Sequence, residues 1–166
     1  MQCPRSGYVV QLILALAICI CSSPGVQAQS QRNLGVSVAP GNEQRLALVI
    51  GNSSYKDSPL ANPANDAQDI AKALADLGFK VTLRTNAHQR AMKQAIREFG
   101  AQLKQGGVGL FYFAGHGIQS KGRNYLVPVG ANISGEADLE DESGDSNLVL
   151  AHMEDAQNRV NIVVLD

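Results

Sequence analysis

VGLFYFAGHG, residues Val108–Gly117, decides the fold. Val108–Ala114 is an almost unbroken apolar run, the pattern of a strand covered on both faces in a parallel sheet. The run ends at Gly115-His116-Gly117, where a histidine stands between two residues with unrestricted backbones. Open α/β sheets gather their chemistry at the carboxyl ends of the strands. His116 therefore occupies a position suited to a reacting side chain.

The same reading extends outward in both directions. Leu46–Ile50 (LALVI) is a second apolar strand, closed by Gly51-Asn52 and a turn-rich stretch with Ser53, Ser54, Pro59 and Pro63. Ala67, Ile70, Ala71, Leu74 and Leu77 recur at helical spacing, and Gly78 follows as a stop. Lys80–Leu83 reads as a short strand, and Met92, Ile96, Phe99 and Leu103 mark a second helix that ends at Gly106-Gly107. Tyr125–Val129 (YLVPV) is a short extended piece whose proline suits an edge. Glu136–Asp145 reads as an acidic loop, Leu148–Ala156 as a third helix, and Val160–Leu165 as a buried strand ending at Asp166. Strands alternating with helices predict an α/β fold: a mostly parallel sheet, helices on both faces, and all carboxyl ends on one edge.

Composition narrows the function. The chain has 166 residues, 17% of them charged, with a formal net charge of −1. A nucleic-acid surface needs a basic stripe or a stacking platform, and neither is present, so nucleic acid is not expected as a partner. The first 28 residues carry one charged side chain, Arg5, an apolar stretch over Val9–Cys21 and small residues at Val26 and Ala28. That layout is a secretory signal peptide cleaved after Ala28, which predicts a secreted or periplasmic protein. The apolar stretch falls short of the ~18–20 residues that span a bilayer, so no stable membrane span is expected after cleavage. Residues 29–43 are polar and unpatterned, a flexible lead-in to a domain over 44–166. All three cysteines, Cys3, Cys19 and Cys21, fall within the signal segment. The mature sequence thus holds no disulfide, no thiolate metal site and no thiol nucleophile of its own.

The remaining chemistry is sparse. His116 can serve as a base paired with a thiol, and the Gly117 N–H can help to hold an oxyanion. His88 and His152 sit in helical segments with polar neighbours and read as solvent-facing. Asp66 stands at the start of the first helix, where the helix dipole favours an acid. Asp166 stands at the active edge, and two such acids can hold a cation. The acidic segment offers carboxylates to Ca²⁺, but its spacing is not that of an EF-hand, and it reads as a solvated loop. Asn52-Ser53-Ser54 and Asn132-Ile133-Ser134 fit the glycosylation pattern, and no dinucleotide fingerprint is present.

Five ordered blocks carry a family resemblance. RLALVIGN (Arg45–Asn52) with Tyr55, NPANDA (Asn62–Ala67), YFAGHG (Tyr112–Gly117), NYLVP (Asn124–Pro128) and NIVVLD (Asn161–Asp166) resemble the caspase-like cysteine peptidases of the C14 family, in particular their bacterial metacaspase-like members. The resemblance implies a caspase-like three-layer sandwich, of which residues 44–166 form a p20-type portion that is incomplete at its C-terminal side. It implies a Cys–His dyad in which His116 is the histidine. The thiol of the Asp-Ala-Cys block would stand two residues past Asp166, about 50 residues after His116. Caspases that hold a substrate Asp place Gln at the position of Asp166. Metacaspase-type members use two acids, matched here by Asp66 and Asp166, which implies cleavage of protein or peptide substrates after Arg or Lys. No cofactor is implied, although some relatives are activated by Ca²⁺ bound near the acidic segment. Because a chain without a thiol cannot be acylated, the alternative reading is a non-catalytic caspase-like binding module or truncated pseudoenzyme.

Overall fold

The computed structural model describes residues 43–103 and 107–166. The signal peptide and all but the last residue of the lead-in lie outside them. Strands β1 (Arg45–Gly51), β2 (Lys80–Thr85), β3 (Val108–Ala114) and β7 (Val160–Leu165) form one parallel sheet in the order β2-β1-β3-β7. Helices α1 (Pro63–Asp76), α2 (Gln89–Leu103) and α4 (Ser146–Asp155) connect or flank these strands. The expected α/β architecture, helices against both faces of a mostly parallel sheet, is the one observed.

Alternation along β1 explains the layers. Leu46, Leu48 and Ile50 point to one face, where they pack with Met92, Ile96, Phe99 and Leu103 of α2 and Val149 and Met153 of α4. Ala47 and Val49 point to the other and meet Ala67, Ala71 and Leu74 of α1. A strand buried on both sides has no polar face to offer, which is why its sequence is a continuous apolar run. Helix α1 begins with Pro63, whose missing N–H costs nothing at a helix start. Its next free amide, Ala64 N–H, donates to Ser53 Oγ at 2.9 Å, so the loop after β1 caps it. The helix ends at Asp76, so Leu77, expected as the last member of the apolar stripe, is its exposed C-cap instead.

Three expectations need correction. β7 is the outer strand of the described sheet rather than a buried one: Val160, Ile162, Val164 and Leu165 are 38–46% exposed. The acidic segment is not a loop but a 3₁₀ turn (Glu136–Asp138) and a short helix α3 (Leu139–Glu142), anchored by buried Leu139. A second sheet was also unforeseen, built from antiparallel β4 (Gly117–Ser120), β5 (Arg123–Leu126) and β6 (Gly144–Asp145); the extended piece expected over Tyr125–Val129 is its middle strand β5, which ends before Pro128, and not an edge. The β4–β5 turn is Lys121-Gly122, with φ of 49° and 77°. Positive φ at both positions suits a tight hairpin but is normally signalled by Asn-Gly. Among the described residues, no helix is long and apolar enough to cross a membrane.

Candidate functional site

The ends of β1 and β3 lie side by side, with Gly51 in register with Ala114. Past that point the chain turns away on both strands, and the two turns build the site. Asn52 N–H donates to Ala114 O at 2.9 Å, continuing the ladder by one step. The Asn52 side chain, fully buried, then ties three segments together. Its Oδ1 accepts from Ala87 N–H at 2.8 Å, and its Nδ2 donates to Val127 O at 3.2 Å.

Tyr55 carries the next contact. Its hydroxyl donates to Val127 O at 2.9 Å and accepts the His116 main-chain N–H at 3.0 Å. The two rings meet at a centroid distance of 4.4 Å, tilted by 51°. Burial pushes the phenol up, and the His116 N–H pulls part of that shift back, so the hydroxyl keeps its proton across the neutral range. Gly115 shows why a side chain is excluded here: at φ 153°, an added Cβ would sit 2.5 Å from the Tyr55 hydroxyl. Gly117 is different, since the nearest atom to an added Cβ is Tyr125 O at 3.7 Å. Packing forces a glycine at the first position and not at the second.

His116 is half-buried, and its Nε2 lies 2.7 Å from Ser58 O. A carbonyl only accepts, so Nε2 carries the hydrogen, and in the neutral ring Nδ1 holds the lone pair. The loop after β1 thereby selects the tautomer. The ring lines a cleft of about 640 Å³ with Tyr55, Ser58, Gly117, Val127 and Asn132. Gly117 also borders a second cleft of about 300 Å³, shared with Phe113, Gly115, Leu165 and Asp166.

The two acids gather around a different residue. Asp166 continues β7 beside β3: its N–H donates to Phe113 O at 2.9 Å, and its carbonyl accepts from Gly115 N–H at 3.3 Å. Its carboxylate Oδ2 accepts the Tyr112 hydroxyl at 3.0 Å. Asp66, half-buried in the first turn of α1, adds its charge from the helix side. Burial first, then the hydrogen bond and charge of Asp166, then the charge of Asp66, push the Tyr112 phenol up to about 12. Asp66 and Asp166 thus both act on one buried hydroxyl, and the Gly115–Asp166 hydrogen bond joins this group to the turn that bears His116.

Other candidates take structural places. His88 is exposed, as expected, with Nδ1 at 2.7 Å from Val129 O. His152 is not solvent-facing: it packs against Gly100 of α2, with its Nε2 buried and unpartnered among the described residues. Asn52 is inaccessible to a glycan, whereas Asn132 is exposed. The carboxylates of the acidic segment are engaged locally. Asp138 accepts from the Ser134 and Gly135 amides, Asp145 from the Asn147 amide, and Glu136 and Glu140 pair with Lys121 and Arg123. No group of three or more ligating side chains converges among the described residues.

Sequence reasoning named His116, Gly117, Asp66 and Asp166 as candidates but gave no role to Asn52, Tyr55 or Tyr112. A buried Asn directly after an apolar strand and a Tyr within a strand are weak signals on their own. Their importance comes from partners remote in sequence.

Comparison with known proteins gives a consistent picture. A family model described as the caspase domain matches residues 44–160. Over 93 residues, 55% of this chain, it is 37% identical to human mucosa-associated lymphoid tissue lymphoma translocation protein 1. The mouse homolog is 38% identical over the same length. The matched part spans 11% of the length of either relative. A crystal structure of a Geobacter sulfurreducens protein superposes with a TM-score of 0.51 at 21% identity, covering 74% of this chain and 50% of that one, a likeness of fold alone.

Proposed function

Given that the chain belongs to the caspase-domain family of peptidases, we propose that it forms the histidine-bearing part of an exported cysteine endopeptidase that cuts protein chains after Arg or Lys. The observation that carries this reading is the Nε2–H of His116 pinned to Ser58 O at the carboxyl end of β3, which leaves Nδ1 as the base beside an open cleft. The thiol of this reading is the one the family resemblance implies, in the Asp-Ala-Cys block whose acid corresponds to Asp166.

In this mechanism His116 Nδ1 takes the thiol proton, and the thiolate attacks the scissile carbonyl carbon. A C–S bond forms while the π electron pair moves onto oxygen, which the Gly117 N–H faces. Collapse breaks the C–N bond, and the imidazolium gives its proton to the leaving amine. Water, deprotonated by the same nitrogen, then hydrolyses the thioester. Asp66 and Asp166 hold the substrate cation, because a paired acid site attracts guanidinium or ammonium and repels a carboxylate. The signal-peptide reading of residues 1–28 places this activity in the periplasm or outside the cell.

The test uses the full-length gene product and fluorogenic peptides ending in Arg, Lys or Asp. Cleavage of the Arg and Lys reporters, lost by at least a hundredfold in His116→Ala, is the expected result. Unchanged turnover in that variant removes His116 from the dyad. No turnover by the unaltered protein favours the non-catalytic module, the reading motivated by the absence of cysteine from residues 29–166.

A further inference from the structure

We propose that Tyr112 is a positioning residue for substrate specificity: its hydroxyl holds Asp166 Oδ2 so that Oδ1 faces the substrate cation. The inference rests on the reading of Asp66 and Asp166 as the acid pair of the specificity site.

Three observations carry it. Asp166 lies past the end of β7, and among the described residues its carboxylate has one side-chain partner, the Tyr112 hydroxyl. Tyr112 is the reverse, buried in the middle of the sheet against Ala67, Ala71 and Leu74 of α1. The 3.0 Å hydrogen bond therefore ties that carboxylate to a side chain held in the core. The second observation is geometric economy. One oxygen of Asp166 is occupied, so the cation meets a carboxylate with a single free oxygen in a defined direction. The third is charge. Asp66, in the first turn of α1, adds its charge at the same hydroxyl, so both anions act on one neutral phenol. Burial and the two acids raise the phenol to about 12, so the hydroxyl keeps its proton across the neutral range.

Phenylalanine would fill the same volume and remove only the hydroxyl. A hydrogen bond to an ionised group is among the stronger ones, and its loss corresponds to about a tenfold change in an equilibrium or rate ratio. The experiment measures kcat/KM on the full-length gene product for reporters ending in Arg and in citrulline, its neutral isostere. Tyr112→Phe should reduce the Arg-over-citrulline ratio about tenfold. In an Asp166→Asn background the same change should move the ratio by less than about twofold, because the hydroxyl acts through Asp166. An undiminished ratio in Tyr112→Phe, or an equal loss in both backgrounds, overturns the inference while leaving the acid pair in place. An unaltered enzyme that treats Arg and citrulline alike overturns the acid-pair reading, and this inference with it. A measurement independent of turnover is the phenol titration followed by tyrosinate absorbance: Asp166→Ala should lower the Tyr112 midpoint from about 12 toward the ordinary tyrosine value of 10. An unmoved midpoint shows that the contact does not exist in solution and refutes the proposal.

Discussion

Asn52→Ala is the sharpest test of how this site is built. The side chain is fully buried; its Oδ1 accepts from Ala87 N–H at 2.8 Å, and its Nδ2 donates to Val127 O at 3.2 Å and more weakly to Met92 Sδ at 4.0 Å. The losses at Ala87 and Val127 differ in kind. Val127 O still receives the Tyr55 hydroxyl, so it is not orphaned. Ala87 N–H has no substitute in the alanine variant, and a buried unsatisfied donor costs about 1–3 kcal/mol. The vacated amide adds a small cavity of roughly 1 kcal/mol. The sum is about 2–4 kcal/mol, which for a domain of this size lowers the melting temperature by roughly 10 °C. Urea unfolding followed by circular dichroism measures the loss directly. Asn52→Asp separates hydrogen bonding from packing. It keeps the shape and the acceptor for Ala87 N–H but turns a carboxylate oxygen toward Val127 O, so at neutral pH it should be no better tolerated than alanine. An aspartate variant within about 0.5 kcal/mol of the unaltered protein would refute the claim that the donor to Val127 O matters.

Two further outcomes follow from the same geometry. Gly115→Ala should lose about 2–4 kcal/mol in urea unfolding, because it combines a φ that L residues rarely adopt with a 2.5 Å approach to the Tyr55 hydroxyl. Adding Tyr55→Phe removes the clashing atom, so the double variant should lose less than the sum of the singles, and strict additivity would contradict the contact. The Tyr112 phenol, raised in the folded state by burial and by Asp166 and Asp66, contributes stability that is complete below pH 10 and lost as pH rises through about 12. The unfolding midpoint of the unaltered protein should therefore fall more steeply than that of Tyr112→Phe between those pH values, and parallel curves would refute it.

The legible parts of the sequence were those where one residue's neighbours along the chain determine its environment. β1 and β3 are apolar throughout because both faces are covered, and α1 and α2 show the helical period because each presents one face to that sheet. β4, β5 and β6 failed that test. They are short and only partly covered, and β4 and β5 are joined by Lys-Gly in place of the usual turn pair, so of the three only β5 was marked, in part, as the extended piece Tyr125–Val129. The β7 pattern misled for the opposite reason: an apolar run reports what a strand is suited to bury, not what covers it among the described residues. Asp66 and Asp166, 100 positions apart, were paired by family resemblance alone. No spacing rule links a helix start to the far end of a later strand.

His116 itself shows where sequence reading must stop. Its block named the residue, yet the groups that fix its ring and backbone are Ser58 O, the Tyr55 hydroxyl and, through that hydroxyl, Val127 O. Two of the three are main-chain carbonyls, which every residue possesses. Their roles depend on where the chain is routed, and substitution at Ser58 or Val127 leaves the acceptor in place. Tyr55 and Asn52 are therefore the positions through which mutation can reach this arrangement, since each supplies a side-chain donor to Val127 O that no backbone group replaces. A base positioned by carbonyls has a further consequence. A carbonyl is neutral and does not titrate, so the group that selects the tautomer of His116 keeps the same charge at every pH. The carboxylates of the site are thereby left free for a different task, and the structure places both of them around Tyr112.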